Sequence, residues 1–452
     1  MKSLLKSTAL FMALLMLFST VALAAPDGAQ TTVDEWAAEW ENIKSDDSVI
    51  ALTPGSDESQ MNFAWLSALY DFKPQFKLSK NSAMNNSVAI PVASALTIVG
   101  KITNKVTATE LRPGTEYYYS YTEKGLWSKP EAFKTGSGNN FKAILVADSQ
   151  IGRSGDEKSD EVLFNDSFGW NATLEAAFDA NPDIDFILSA GDQVETAGTN
   201  LQYNLFLAPS PLRNIPLATT MGNHDFYHPL YQYHFNNPNE FEDEVIQSPG
   251  GSGYWFTRGS ALFIVLDSNI PAPVHQELLV KQAVEANPDA VWRIVLMHHS
   301  IYGASGEPTG ANLWRFYAPV FDRFEIDLVL SGHDHRHCRS YPIKNNKIVA
   351  DGEGVVYLCA NSASGSKYSG VPETQPWYAA NSSQLNAPAY TVLDFEKNMI
   401  TINTYRADTM QTTDDEYVMH KQAPTGAVPV QSLLMRFFAA ISTLIMVIKA
   451  SL

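Results

Sequence analysis

From Phe141 onward the chain repeats one pattern, a short apolar run that breaks off in polar residues. Ala143–Ala147 leads into Asp148-Ser149-Gln150, and Ile184–Leu188 into Gly191-Asp192-Gln193. Arg293–Met297 leads into His298-His299, and Ile326–Ser331 into Gly332-His333-Asp334-His335. A fifth cluster, Gly222-Asn223-His224-Asp225, lies between them. Runs that are apolar throughout read as strands buried on both faces. Leu174–Phe178, between the first two runs, is helical in character, and strand–helix–strand demands a crossover and a parallel or mixed sheet. Further strands are expected at Ala261–Leu266 and Val355–Leu358, a helix at Glu277–Ala286 and a closing hairpin at Tyr390–Tyr405. In open α/β sheets ligands bind beyond the strand ends, which is where these polar clusters stand.

Taken singly, a Gly-Asp or Asn-His pair is ordinary turn chemistry. Five clusters in this order are not. His333 and His335 are two positions apart, so in extended chain their imidazoles point the same way, whereas on a helix they would diverge. Two such imidazoles can each hold a different ion of a close metal pair. Gly332 is expected to let the backbone turn sharply as it leaves the strand.

The five clusters together resemble the calcineurin-like metallophosphoesterase superfamily, with the purple acid phosphatases as the branch most similar. The resemblance covers nearly all of 141–421. It implies an α/β four-layer sandwich, two mixed sheets flanked by helices, preceded by an all-β domain similar to fibronectin type III. That domain is expected over 48–137, where short alternating runs such as Asn62–Leu66, Ala95–Val99 and Tyr117–Tyr121 are broken by turn residues. Leu111-Arg112-Pro113-Gly114-Thr115-Glu116-Tyr117 resembles the turn-and-corner of fibronectin type III domains.

Carried over residue by residue, the resemblance implies two metal ions, Fe, Mn or Zn. Asp148 and His335 would serve the first, Asn223, His298 and His333 the second, and Asp192 would bridge them. His298 is preferred to His299 because Tyr302 completes a His-x-x-x-Tyr spacing, leaving His299 as a structural or substrate-facing neighbour. The implied reaction is hydrolysis of a phosphate monoester by a metal-activated hydroxide, with His224 stabilising or protonating the departing alkoxide. His337 and Arg339 are candidates for the phosphate or the rim, with a structural salt bridge as the competing reading for Arg339. Aromatic residues Trp314, Tyr317, Tyr368, Trp377 and Tyr378 are either a substrate mouth or, by default, core.

Two positions depart from the family pattern. Gln150 stands where many members carry a His and purple acid phosphatases a Gly; it is read as a weak or indirect ligand. Glu195 stands where purple enzymes carry the Tyr that binds ferric iron and gives the colour. A colourless or weakly coloured protein is therefore expected. By analogy with the protein-phosphatase branch, Glu195 would orient His224 and keep it a proton donor near neutral pH.

Met1–Ala24 has Lys2 and Lys6, an apolar stretch from Ala9 to Phe18, and small residues before Ala25. It reads as a secretory signal peptide, which places the protein outside the cell or in the cell envelope. Removing it subtracts two Lys and no acid, so the net charge of −18 becomes −20. So acidic a chain is a poor nucleic-acid binder. The residues after the Pro424–Pro429 linker, within 422–452, end in the apolar Leu433–Ile448, short of a membrane span. It offers either an interfacial helix able to touch a membrane surface or a terminal helix packed on the protein itself. Cys338 and Cys359 are read as a disulfide slightly ahead of two buried thiols. A phosphodiesterase or nucleotidase on the same scaffold, and an inactive cell-surface binding protein, are the competing functions.

Overall fold

Residues that point alternately to the two faces of apolar strands build the layers of the catalytic region. The computed structural model describes residues 31–47, 49–70, 73–241, 250–270, 273–304 and 313–421. The leader at 1–24 and the tail at 422–452 lie outside the described residues. Among the described residues no helix is long and apolar enough to cross a membrane.

One sheet has six strands in the order Leu217–Thr219, Ile184–Ser189, Phe141–Val146, Ala389–Glu396, Met399–Arg406, Tyr417–His420. Its first three strands are parallel and the rest antiparallel. The other has seven, in the order Tyr254–Arg258, Ala261–Val265, Trp292–Leu296, Leu328–Ser331, Val356–Cys359, His337–Ser340, Ala379–Ser383. Its four inner strands from Ala261–Val265 to Val356–Cys359 are parallel.

Leu145, Phe186 and Leu188 of the first sheet meet Phe263, Leu296, Leu330 and Leu358 of the second in a shared core. The intervening residues face outward, as the period of two requires. Ile144, Val146 and Ile187 pack on Leu163, Trp170 and Leu174 of the helix Asp160–Ala180. Ile264, Val295 and Val329 pack on Leu279 and Ala283 of Pro273–Ala286 and on Phe321 of Trp314–Arg323. Helix, sheet, sheet, helix is the four-layer sandwich expected from the sequence.

Ahead of it, a four-stranded and a five-stranded sheet close over Phe63, Trp65, Phe76, Tyr119 and Phe133. The corner at Leu111–Tyr117 is tied by Arg112 N–H donating to the Tyr117 hydroxyl at 2.9 Å. The strand expected over Ala95–Val99 stops at Leu96, because Thr97 N–H and Oγ1 both bond Lys101 O at 2.8 Å and close a turn. This sandwich is fastened to the catalytic sheets by Arg258, which reaches Glu58 at 3.2 Å and Asp185 at 2.6 Å.

The helix Val33–Ser45 was not read from the sequence, though its signal is present. Thr32 and Glu35 form a reciprocal capping box, and Trp36 and Trp40, one turn apart, are buried against Phe168 and Phe164. The expected disulfide is not formed. Cys338 and Cys359 lie opposite each other on neighbouring antiparallel strands as free, buried thiols. The Cys359 thiol instead donates to Gly332 O at 3.2 Å.

Candidate metal centre

Six side chains from five strand ends converge. Asp192, His298 and His333 offer ligand atoms that lie within 4.8 Å of one another, and so do Asp148, Asp192 and His335. Asp192 belongs to both groups, the place a bridging carboxylate would take. Asn223 Oδ1 lies 3.0 Å from His298 Nε2 and 3.0 Å from His333 Nδ1, and those two nitrogens are 3.1 Å apart. Ligands held at the ordinary metal distance of roughly 2.1 Å stand about 3.0–3.4 Å from each other, so this triangle has the edge length of a coordination shell.

The backbone that carries these side chains is strained. Asp148, Gln150, Asp192, His333 and His335 all have positive φ, between 39° and 71°. None is a glycine, and each such residue costs roughly 1 kcal/mol or more, a cost typical of functional sites. The two histidines of the Gly-His-Asp-His cluster therefore do not come from extended chain, as the sequence reading assumed. Left-handed residues at 333 and 335 flank Asp334, which turns away and accepts from Ser300 Oγ at 2.9 Å and Ala304 N at 2.6 Å. His333 joins the second group and His335 the first.

Gly332 also has a reason other than the expected one. Its φ is not in the left-handed region; a Cβ there would stand 2.6 Å from Asp148 Oδ2 and 2.7 Å from Ala147 Cβ. Gly222 is similar, since a Cβ would meet Asp192 Oδ1 at 2.1 Å. Both glycines exist so that a carboxylate can occupy the space.

Hydrogen bonds fix each donor. His298 Nδ1 sits 2.8 Å from Ala190 O, which leaves Nε2 facing Asp192 at 3.3 Å. Asp148 Oδ2 accepts from His333 N at 2.9 Å, and Asp192 Oδ1 from His224 N at 2.9 Å. Asp225, which sequence reasoning passed over, accepts from Gly222 N at 2.9 Å and from the Tyr203 hydroxyl at 3.2 Å. It holds the Asn223-His224 turn in place.

Burial pushes the Asp148 carboxyl up to about 8. The positive charge of His298, acting against burial, holds Asp192 well below the usual carboxylate range. Burial lowers His333 to about 4 and His335 to about 3, so both imidazoles are neutral and their lone pairs available. Asp148 Oδ1 and Gln150 Oε1 are buried without a hydrogen-bond partner. Two buried carboxylates, three imidazoles, an amide oxygen and orphaned acceptors form a donor set that fits a pair of divalent cations.

The two departures from the family pattern meet each other. Gln150 Nε2 donates to Glu195 Oε2 at 2.8 Å. Glu195 also takes Arg153 at 2.9 Å and lies 3.3 Å from His224 Nδ1, which sits 2.9 Å from the Glu195 carbonyl oxygen as well. His299 lies beside the cluster, its ring centroid 4.5 Å from that of His333, with Nδ1 2.8 Å from Ser268 Oγ.

His337 and Arg339 are not brought to the cluster as phosphate ligands. Arg339 Nε and Nη2 bond Asp414 at 2.6 and 3.0 Å, and His337 Nε2 lies 3.4 Å from the same carboxylate. Both are buried, and the expected substrate role gives way to a structural ion pair. Of the aromatic residues, Tyr317 and Tyr378 are core, whereas Trp377 is half exposed. The sequence reading also missed a sixth strand end. Val356–Cys359 runs into Asn361-Ser362-Ala363-Ser364, and Ser362 Oγ and Ser364 Oγ donate to Asp148 O at 2.9 Å and Ser149 O at 2.6 Å.

Known proteins agree with this architecture. A sequence of Mycobacterium tuberculosis named only as an uncharacterized protein is 23% identical over 277 residues, 53% of this chain and 51% of its own. The phosphoenolpyruvate phosphatase of Allium cepa is 29% identical over 178 residues, 36% of this chain and 34% of its own. The chain thus spans about half the length, or less, of the curated relatives it matches. The structure of a purple acid phosphatase, PPD1, from yellow lupin (Lupinus luteus) seeds superposes with a TM-score of 0.65 at 15% identity, covering 85% of this chain and 78% of that one. Residues 143–337 match the calcineurin-like phosphoesterase family and residues 48–135 the purple acid phosphatase N-terminal domain. The chain thus contains a region similar to the calcineurin-like phosphoesterases, preceded by one similar to the N-terminal domain of the purple acid phosphatases.

Proposed function

We propose that this protein is a secreted or cell-envelope phosphoesterase that hydrolyses small phosphate monoesters with the help of two metal ions. The observation that carries the proposal is the pair of donor groups that share the buried Asp192. Asp148, Asp192 and His335, with Gln150 through its free amide oxygen, would hold one ion, and Asp192, Asn223, His298 and His333 the other. Bound cations at such a site supply electrostatic clamping of phosphate oxygens and acidify water, giving a nucleophile at ambient pH.

The chain's own residues do the rest. The Nδ1 of His224 is taken up by Glu195, which leaves Nε2 as the atom that hands a proton to the departing oxygen. The ring is about a quarter exposed, so it can reach a substrate in the cleft. Glu195 is a positioning residue, acting through His224 and Gln150. His299, anchored by Ser268, lines the cleft next to His333. The sandwich ahead of the catalytic region carries none of these groups.

Metal analysis of the protein lacking residues 1–24, paired with a panel of phosphate mono- and diesters, tests the reading. Two metal equivalents with preferential monoester turnover support it. Preferential diester turnover makes the protein a phosphodiesterase, and absence of both metal and turnover makes it a binding module.

A further inference from the structure

We infer that Lys367 is the substrate-binding cation of this site, holding a non-bridging oxygen of the phosphate group in the place the sequence reading assigned to Arg339. The inference rests on the phosphoesterase reading and deepens it.

Residues 362–369 follow the sixth strand end and are pinned to both metal-carrying loops. At one end Ala363 N donates to Ala147 O at 2.9 Å, and the Ser362 and Ser364 hydroxyls hold the carbonyls of Asp148 and Ser149. Ser364 Oγ in turn accepts from Ser366 N at 3.1 Å. At the other end Ser369 N bonds His335 O at 3.4 Å, and Gln384 Nε2 clasps His335 O at 2.7 Å and Ser369 O at 3.2 Å. Lys367 is thus carried between two anchored ends beside the donor cluster. The Tyr368 hydroxyl lies 2.7 Å from where a Cβ on Gly365 would be.

The bond from Ser369 N to His335 O sets Lys367 two residues from a direct tie to the loop that carries His333 and His335. The other cations of the region are committed. Arg153 is paired with Glu195, and Arg339 with Asp414. Arg336 is bonded to Ala304 O at 3.0 Å and Ser382 Oγ at 2.6 Å. Lys367 is half-buried, and among the described residues it makes no hydrogen bond or ion pair. Among the described residues it has no counter-charge, and a phosphate monoester supplies one: three non-bridging oxygens, which an ammonium binds as a point charge.

The test uses the metal-loaded full chain and three variants, Lys367→Ala, Lys367→Gln and Lys367→Arg. Inorganic phosphate binding is measured by calorimetry, metal content is measured beside it, and KM and kcat are taken on a small aryl phosphate. Lys367→Ala and Lys367→Gln are expected to keep both metal equivalents and to bind phosphate roughly 10- to 100-fold more weakly, the range for losing one charged hydrogen bond. KM should rise more than kcat falls, and Lys367→Arg should recover most of the loss. Phosphate affinity unchanged in Lys367→Ala overturns the inference while leaving the phosphoesterase reading intact, as does loss of metal from that variant. A wild-type protein that holds metal but binds and hydrolyses no phosphate overturns both.

Discussion

The backbone N–H of His333 donates to Asp148 Oδ2 at 2.9 Å, across 185 residues of chain. This bond ties the end of the strand Phe141–Val146 to the end of the strand Leu328–Ser331. It orients Asp148 so that Oδ1 stays without a hydrogen-bond partner, 3.5 Å from His335 Nε2. One contact therefore couples the loops that serve the two donor groups.

Asp192 is shared, whereas Asp148 belongs to one group only. Asp192→Ala is expected to remove both metal equivalents and Asp148→Ala chiefly one. Either lowers turnover on the order of 10³-fold or more, since each loses several kcal/mol of charge stabilisation. Metal analysis of the two variants side by side is the check; equal loss from both would contradict the sharing.

Gly222→Ala places a methyl 2.1 Å from Asp192 Oδ1. The carboxylate has to move, so the variant should lose metal although no ligand has been changed. Metal content measured beside a melting curve separates this from general unfolding.

Glu195 contacts Gln150, Arg153 and His224. Glu195→Gln should keep both metals and lower kcat by roughly 10- to 100-fold, and His224→Ala by the 10²–10⁴-fold typical of a lost general acid. The metal-loaded protein should also lack a visible tyrosinate-to-iron band, because Glu195 stands at the position of the colour-giving Tyr. An absorption spectrum with that band would refute it.

Asp414 is held down to about 2: burial opposes this, but hydrogen bonds from His337 and Arg339 prevail. Asp414→Ala would leave a buried guanidinium without its carboxylate. A loss of about 3–5 kcal/mol is expected by denaturant titration, with the KM of any surviving enzyme unchanged. A raised KM without destabilisation would return Arg339 to the substrate.

His234 is fully buried, stacked on Tyr203, with Nε2 3.1 Å from Asn200 Oδ1; burial lowers it to about 3. The fold keeps this ring neutral, whereas the unfolded chain protonates it below about 6.5. Its contribution to stability is therefore complete above pH 6.5 and is lost as the pH falls toward 3, on the order of 2–4 kcal/mol by pH 4. Melting curves between pH 7 and pH 4 should fall less steeply for His234→Gln than for the wild type.

The apolar runs were enough to place the strands, because a strand buried on both faces has nothing but apolar residues to show. Which side chains of Phe141–Val146 and Trp292–Leu296 enter the inner or the outer core was decided only by the packing of the sheets. The polar clusters at the run ends contain Asp148, Asp192, Asn223, His224, His298, His333 and His335, and the resemblance to the calcineurin-like phosphoesterases implied their roles. The Val33–Ser45 helix was legible too, in Thr32 and Glu35.

What the sequence could not carry is pairing across space. That Arg339 and His337 belong to Asp414, that Gln150 and Glu195 join each other, and that Cys338 and Cys359 stay as thiols are matters of three-dimensional neighbourhood between residues as much as 77 positions apart. The left-handed turns at His333 and His335, and the reason Gly332 and Gly222 lack a side chain, likewise arise from carboxylates delivered by other loops. Local sequence states which chemistry is present. Only the packing of the two sheets decides which charges find a partner inside the protein.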